Sequence, residues 1–174
     1  AVKLGKSKKI PILIGDIEDI KVFKKLKSQK FDVIIAADVL EHTRNPKKVI
    51  QFLLPLLAGD GTMIISVPNI AFLTNRITHL LGKFNYTQYG IMDSTHLRFF
   101  TRESIVTLVN KCGLKIQKIE GIGNFTQLPF FMKTLLPYIY KWFLIGKIEQ
   151  LITRIWPGGF AVQFLIFAKI NNDK

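Results

Sequence analysis

Asp38, Glu41 and His42 stand directly after an aliphatic run in the stretch FDVIIAADVLEH, residues 31–42. Two carboxylates and an imidazole are acceptable ligands for a magnesium-like or zinc-like divalent ion. An imidazole alone can take the proton of a reacting hydroxyl. Two plainer roles stay open: the acids cap the next helix and shape a pocket, and His42 orients the loop before Asn45. Further on, DSTHLRFF contains His96, either a second base or a packed residue paired with Asp93. His79, within NRITHLLGK, reads as a solvated side chain.

Such groups act together only if the elements around them bring them to one place. IPILI, residues 10–14, is a short apolar run with β-branched residues, ended by the turn signal Gly15-Asp16. A helix is expected over 18–28, with Ile20, Phe23 and Leu26 on one side and lysines on the other. FDVIIAA, residues 31–37, reads as a buried strand. Asn45 is a natural N-cap with Pro46 at the first helical position. Pro55 strains the end of that helix, and AGDG ends it. TMIISV, residues 62–67, is the next strand, stopped at Pro68-Asn69.

The order strand, helix, strand, helix, strand, with strands that are continuously apolar, predicts a parallel sheet with helices on both sides. Ligands in such sheets bind outside the carboxyl ends of the strands. Gly15-Asp16, Asp38–His42 and Pro68-Asn69 all fall at those ends.

Residues 70–100 are less regular and contain His96. A helix follows, capped by Thr101, helped by Glu103 in its first turn and ended by Gly113. Cys112 lies on its apolar side and reads as core. LKIQKIEG, residues 114–121, alternates like a half-exposed strand, and FAVQFLIFAKI, residues 160–170, is a strongly apolar last strand. Between them, residues 125–159 mix aromatics with Lys133, Lys141, Lys147 and Arg154. This stretch is too interrupted for a membrane span. It reads either as an interfacial segment or as an apolar helical cap over the sheet.

The chain has 174 residues, 48% of them apolar, which supports one packed domain and excludes a disordered segment. A single cysteine excludes an internal disulfide and fits a reducing compartment. No signal peptide is expected, because the basic start AVKLGKSKK has no apolar stretch of the required kind behind it. The formal charge of +13 suggests an anionic partner. The aromatics lie inside apolar runs rather than between arginines, so an anionic membrane ranks above nucleic acid. The expected location is cytoplasmic, at the membrane periphery through residues 125–159.

Gly15-Asp16-Ile17-Glu18 after an apolar run, FDVIIAADVLEHTRNP, GDGTMIISVPN and GIMDSTHLRFFTRESIVTLVNKCGL form an ordered set. The set resembles class I S-adenosylmethionine-dependent methyltransferases. More narrowly, it resembles those found with bacterial cell-surface polysaccharide genes and the ubiquinone-biosynthesis O-methyltransferases. The resemblance covers about residues 10–122 and the last strand, and leaves out 125–159.

That resemblance implies a Rossmann-like three-layer α/β sheet, mostly parallel with an antiparallel last strand, and S-adenosyl-L-methionine as cofactor. Asp16 would reach the adenine amino group and the Ile17 N–H a ring nitrogen, with N-capping of the next helix the alternative role for Asp16. Ala37 and Asp38 would line the methionine side. His42 and His96 are the candidate bases for a small or lipid-linked hydroxyl acceptor. Some quinone-pathway relatives hold a divalent ion with the acid-x-x-acid-His pattern.

The family's glycine-rich loop and ribose acid have no counterpart before Gly15. The expectation is therefore a single partial domain over 1–174 without its first two strands, interrupted by the insertion 125–159. A non-catalytic methyltransferase-like binding subunit is the alternative.

Overall fold

The structure is a computed structural model that describes residues 11–26, 29–123 and 151–171. Its centre is a four-stranded sheet of β1 (Phe31–Ala37), β2 (Leu57–Pro68), β3 (Leu114–Ile122) and β4 (Gln163–Ile170), in the order β1-β2-β4-β3. β1 and β2 are parallel, with Ile35 opposite Ile64 and Ala37 opposite Ser66. β4 runs antiparallel to both β2 and β3. Three strands thus point one way and the last runs against them, the α/β arrangement expected.

Among the described residues the helices include, in chain order, α1 (Ile20–Lys24), α2 (Pro46–Leu53), α3 (Leu73–Leu80), α4 (Arg102–Lys111) and α5 (Pro157–Phe160). The α2 start is built as the sequence predicts: Asn45 Oδ1 accepts from Lys48 N at 3.1 Å, and Pro46 follows. Thr101 and Ser104 cap α4 reciprocally, each side chain accepting the other's backbone N–H. Gly113 ends that region with φ 84, a left-handed conformation that glycine adopts without penalty.

One face of the sheet meets α2 and α4. Alternate residues Met63, Ile65 and Val67 of β2 and Phe164, Ile166 and Ala168 of β4 are fully buried there, with Val49 and Ile50 of α2 and Ile105 and Val109 of α4. Each such side chain contributes about 1.5–3 kcal/mol by leaving water, with the smaller alanine below that range. Cys112 is buried in the same cluster, and burial pushes its thiol up from the usual value, which makes it the inert core residue expected.

The structure differs from the expected elements at several points. Residues 11–14 form no strand, and Ile14 is 71% exposed. A strand exists only by pairing, and among the described residues β1 pairs with β2 alone. The helix expected over 18–28 is limited to Ile20–Lys24, and its N-cap is Asp19, which accepts from Lys21 N, not Asp16. The AGDG stretch belongs to β2, not to a helix end. A Cβ on Gly61 would come within 3.0 Å of the Asp32 and Phe31 carbonyl oxygens, so only glycine lets β1 approach there. Helix α3 was not expected; it lies in the stretch read as irregular. Residues 124–150 lie outside the described ones, so most of the segment 125–159 has no structural account.

Asn69 holds the rim where β2 ends. It is fully buried, its Nδ2 donates to the carbonyls of Ala161 (2.8 Å) and Gly158 (3.1 Å), and its Oδ1 accepts from Ala71 N. A polar residue at a ligand-binding edge is here occupied with structure. Replacing it strands two carbonyls and one N–H. Asn69→Ala should therefore lower the unfolding free energy by about 1–3 kcal/mol in urea titration. An unchanged midpoint would mean that water replaces the amide.

Candidate functional site

β1 leaves the sheet through Asp38, whose φ of 52 is left-handed, a rare conformation for a residue with a Cβ. Ser66, at the neighbouring position of β2, stabilises this turn. Its Oγ accepts from Asp38 N at 3.1 Å and donates to Asp38 Oδ1 at 3.1 Å. The Gln163 amide, at the start of β4, donates to both Asp38 Oδ1 and Ser66 Oγ. Three strand ends are thereby tied into one polar knot at the carboxyl rim.

The chain then makes a 3-10 turn, Leu40–His42. Leu40 is buried in the core, which directs the next side chain, Glu41, inward, where it is 1% exposed. The Glu41 carbonyl accepts from both Leu97 N (2.8 Å) and Arg98 N (3.0 Å), and the Arg98 guanidinium donates to the Arg44 carbonyl. From the other side, Glu18 accepts from Arg44 N at 3.1 Å and Asn45 N at 2.8 Å. The loop carrying Glu41 and His42 is clamped between residues 18 and 98. Glu18 had no role in the sequence reading; its partners are 26 and 27 positions away, so no local signal marks it.

His42 and His96 meet edge to face, ring centres 4.8 Å apart. His42 Nδ1 lies 3.2 Å from the Thr95 carbonyl and 3.3 Å from Thr95 Oγ1. Thr95 donates its hydroxyl hydrogen to Asp93 Oδ1 at 2.7 Å, so both its oxygens face His42 as acceptors. His96 Nδ1 lies 3.1 Å from the Ile91 carbonyl, which can only accept. Each neutral ring therefore carries its hydrogen on Nδ1 and keeps the Nε2 lone pair.

The expected pairing of His96 with the Asp93 side chain is not what holds that ring; Asp93 binds Thr95 instead. Two hydrogen bonds from Thr95, the one from its backbone N–H first and then that from its hydroxyl, hold the Asp93 carboxyl below its usual range. His79 is half-buried and stacks on Phe84 with ring centres 4.9 Å apart, rather than standing free in solvent.

Glu41, His42 and His96 each offer a ligand atom, and these atoms lie within 4.8 Å of one another. The structure thus groups Glu41 and His42 with His96, while Asp38 is engaged by Ser66 and Gln163. The four residues Asp38, Glu41, His42 and His96 share a hollow of about 240 Å³ with Asp93, Gly90 and Gln163. His42 also borders a second hollow, about 650 Å³, with Asp16, Glu18, Arg44 and Lys48. Asp16 is exposed there and accepts from Glu18 N at 2.8 Å, closing the turn before α1. Ile17 packs against the core, and Ala37 is exposed at the strand end. A third hollow of about 530 Å³, beside Lys118–Gly123 and Arg154, has no imidazole in its lining.

The comparisons with known proteins agree with this architecture. A methyltransferase-domain family model matches residues 9–119, and the chain belongs to that family. No curated protein matches the chain. Among solved structures, an S-adenosylmethionine-dependent methyltransferase from Archaeoglobus fulgidus is similar at TM-score 0.56 and 18% identity, covering 93% of this chain and 68% of that one. A possible histamine N-methyltransferase from Thermotoga maritima is similar at TM-score 0.58 and 13% identity, covering 96% and 67%. An O-methyltransferase family protein from Burkholderia thailandensis gives TM-score 0.53 and 14% identity, covering 97% of this chain and 38% of that one. At these identities the likeness is one of fold.

Glu41 is the electrostatic anomaly of the site. Neither of its carboxylate oxygens has a hydrogen-bond partner among the described residues. Burial pushes its carboxyl up to about 7; the nearby Asp38 carboxylate adds to the rise, while the backbone N–H at Glu41 and the His42 ring oppose it. The folded state thus keeps a proton that the unfolded chain loses near the ordinary 4.5, and stability falls as pH rises from there to about 7. In buffer with chelator, unfolding titrations should show wild type losing up to about 3 kcal/mol more than Glu41→Gln across that window. Parallel pH profiles would mean that the carboxylate is solvated after all.

Proposed function

We propose that the chain is the adenine-side and acceptor-side part of an S-adenosylmethionine-dependent O-methyltransferase. The acceptor is a small or lipid-linked hydroxyl, of the sugar or quinol type that the sequence resemblance to polysaccharide-associated and quinone-pathway enzymes suggests. The observation that carries the reading is the convergence of Glu41, His42 and His96 at the carboxyl rim of a methyltransferase-domain sheet. When bound, the cofactor supplies an electrophilic methyl group: the acceptor oxygen bonds the methyl carbon, the carbon–sulfur bond breaks and its electron pair stays on sulfur.

This chain's residues supply the rest. Asp16, with its exposed carboxylate, and the Ile17 N–H hold the adenine end; Ala37 and Asp38 line the methionine end. The hollow beside His96 and His42 holds the acceptor. The proton leaving its hydroxyl goes to the Nε2 lone pair of His96 or His42, each ring being oriented by a carbonyl on its Nδ1.

A second reading of the same cluster is favoured by Glu41. A buried carboxylate with no partner is costly unless it is protonated or faces a cation. Glu41, His42 and His96 have the right donor types for a divalent ion, which would draw an acceptor hydroxyl to itself and favour its ionised form.

Among the described residues β1 pairs on one side alone, with β2, which supports a partial cleft. Val33 and Ile35 are 51% and 66% exposed there, although such residues are ordinarily covered in a sheet of this class. The cofactor's carboxylate side would then be supplied by strands beyond that edge. Residues 125–159 would lie against an anionic membrane; in the described part, Arg154, Ile155 and Trp156 are exposed together.

Calorimetry with S-adenosylmethionine tests the cleft. The 174-residue chain should show no micromolar binding. In a chain that also carries a strand and glycine-rich loop on the β1 edge, Asp16→Ala should weaken binding by about 1–3 kcal/mol. Micromolar binding by the short chain would overturn the partial cleft and leave methyl transfer standing.

Transfer of labelled methyl to hydroxyl acceptors tests the chemistry. His96→Ala should slow it about 10²- to 10⁴-fold. Chelator should abolish the rate under the cation reading and spare it under the imidazole-base reading.

A further inference from the structure

Helix α3 and the loop after it carry a surface that methyl transfer does not use. None of the helix's own residues is fully buried. Its end and the following loop expose Leu80 (88%), Leu81 (67%), Phe84 (50%), Tyr86 (57%) and Tyr89 (83%). The exposure is built into the backbone. Leu81 N and Gly82 N close the helix end on Ile77 and His79 carbonyls, and Gly82 takes φ 72, so the two leucines are held outward on an ordered turn. An apolar group this dense on a surface marks a place of contact.

The charged residues within it have one sign, and the acid Asp93, bridged to Thr87, stands at its far end. From Ile70 to Met92 there is no Asp or Glu, while Arg76 and Lys83 flank the leucines. Arg76 also lies over the ring of exposed Trp156, 5.6 Å from its centre, which joins the surface to the segment before β4. Leucines and a phenylalanine beside the cations Arg76 and Lys83, with the acid Asp93 set at the Tyr89 end of the loop, match a bilayer interface that carries anionic headgroups.

We propose that the end of α3 and the loop to Tyr89 dock on an anionic phospholipid bilayer, with Leu80, Leu81 and Phe84 entering the interface. No helix among the described residues is long and apolar enough to cross a membrane, so the contact is peripheral. A second copy of the chain fits less well: a two-fold contact would gather Arg76 and Lys83 of both copies into one apolar seam. A nucleic acid would satisfy the two cations and leave the leucines in water.

The surface also has a direction. Phe84 meets Phe99 at 5.9 Å, Phe99 meets His96 at 6.3 Å, and His96 meets His42 at 4.8 Å between ring centres. A row of rings thus runs from the docking face to the imidazole pair. That an acceptor drawn from the bilayer would reach His96 along this row rests on the methyl-transfer reading; the docking itself does not.

Flotation on density gradients tests the docking without cofactor or acceptor, since aggregates sink and vesicles rise. The probes are vesicles of phosphatidylcholine with and without phosphatidylglycerol. The full chain should float with the anionic vesicles, less with neutral ones, and less in high salt. Leu80→Asp with Leu81→Asp should weaken flotation about tenfold or more, from the lost apolar burial. Lys24→Glu, which changes the formal charge equally at a distant site, should have a small effect.

Equal losses in the two variants would show that net charge alone acts, and would overturn the surface. So would flotation that survives the leucine substitutions while a dimer dissociates, or a loss of duplex binding as large as the loss of lipid binding. Tyr89→Ser, at a residue 83% exposed, gives the same reading if the double variant fails to fold.

Discussion

The turn at Asp38 is the constraint from which the site follows. A strand buried on one face must leave the sheet abruptly if its next residues are to stand over the carboxyl ends of the strands. Asp38 makes that exit in a left-handed conformation, which costs an ordinary residue about 1–2 kcal/mol. Aspartate tolerates it, because its short side chain bonds locally. Here Ser66 and Gln163 satisfy both its backbone and its carboxylate. Because those two partners come from β2 and β4, the turn exists only when three strands are already in register.

Everything beyond the turn is clamped from both sides. Leu40 enters the core, so Glu41 follows it out of water, and residues 97–98 close over the Glu41 carbonyl. Glu18 holds the far side of the loop through two backbone N–H groups. The clamp fixes the positions of groups whose charge states are costly. A buried carboxylate beside two imidazoles is neutral, bound to a cation, or destabilising, and the energies that separate those states are large on the scale of a domain's stability. Structural cores avoid such clusters; this one sits where the fold class binds its ligands.

The apolar surface at α3 and the exposed side chains of β1 are two different kinds of exposure. At β1 the exposed residues Val33 and Ile35 lie on a strand that pairs, among the described residues, with β2 alone. At α3 the backbone is already satisfied within the helix and its closing turn, so only side-chain burial is wanting. The first exposure leaves room for further strands and the layer that covers them, the second for an apolar medium.

Much of this was legible in the residues themselves. Apolar runs marked β1 and β4, alternation marked β3 and helical periodicity marked α2 and α4, and capping at Asn45 and Thr101 is a local matter that neighbours in sequence settle. The rim location of Asp38, Glu41 and His42 followed from the order of strands. The strand at 10–14 and the short α1 were misjudged because pairing and helix length depend on partners that composition does not reveal. The clustering of His96 with Glu41 and His42, the retirement of Asp38 into the knot with Ser66 and Gln163, the clamp by Glu18 and the staple by Asn69 all join residues far apart in the chain. Sequence spacing determines which residues share an element; only the packed sheet decides which element ends meet, because that depends on the register of strands whose partners lie dozens of residues away.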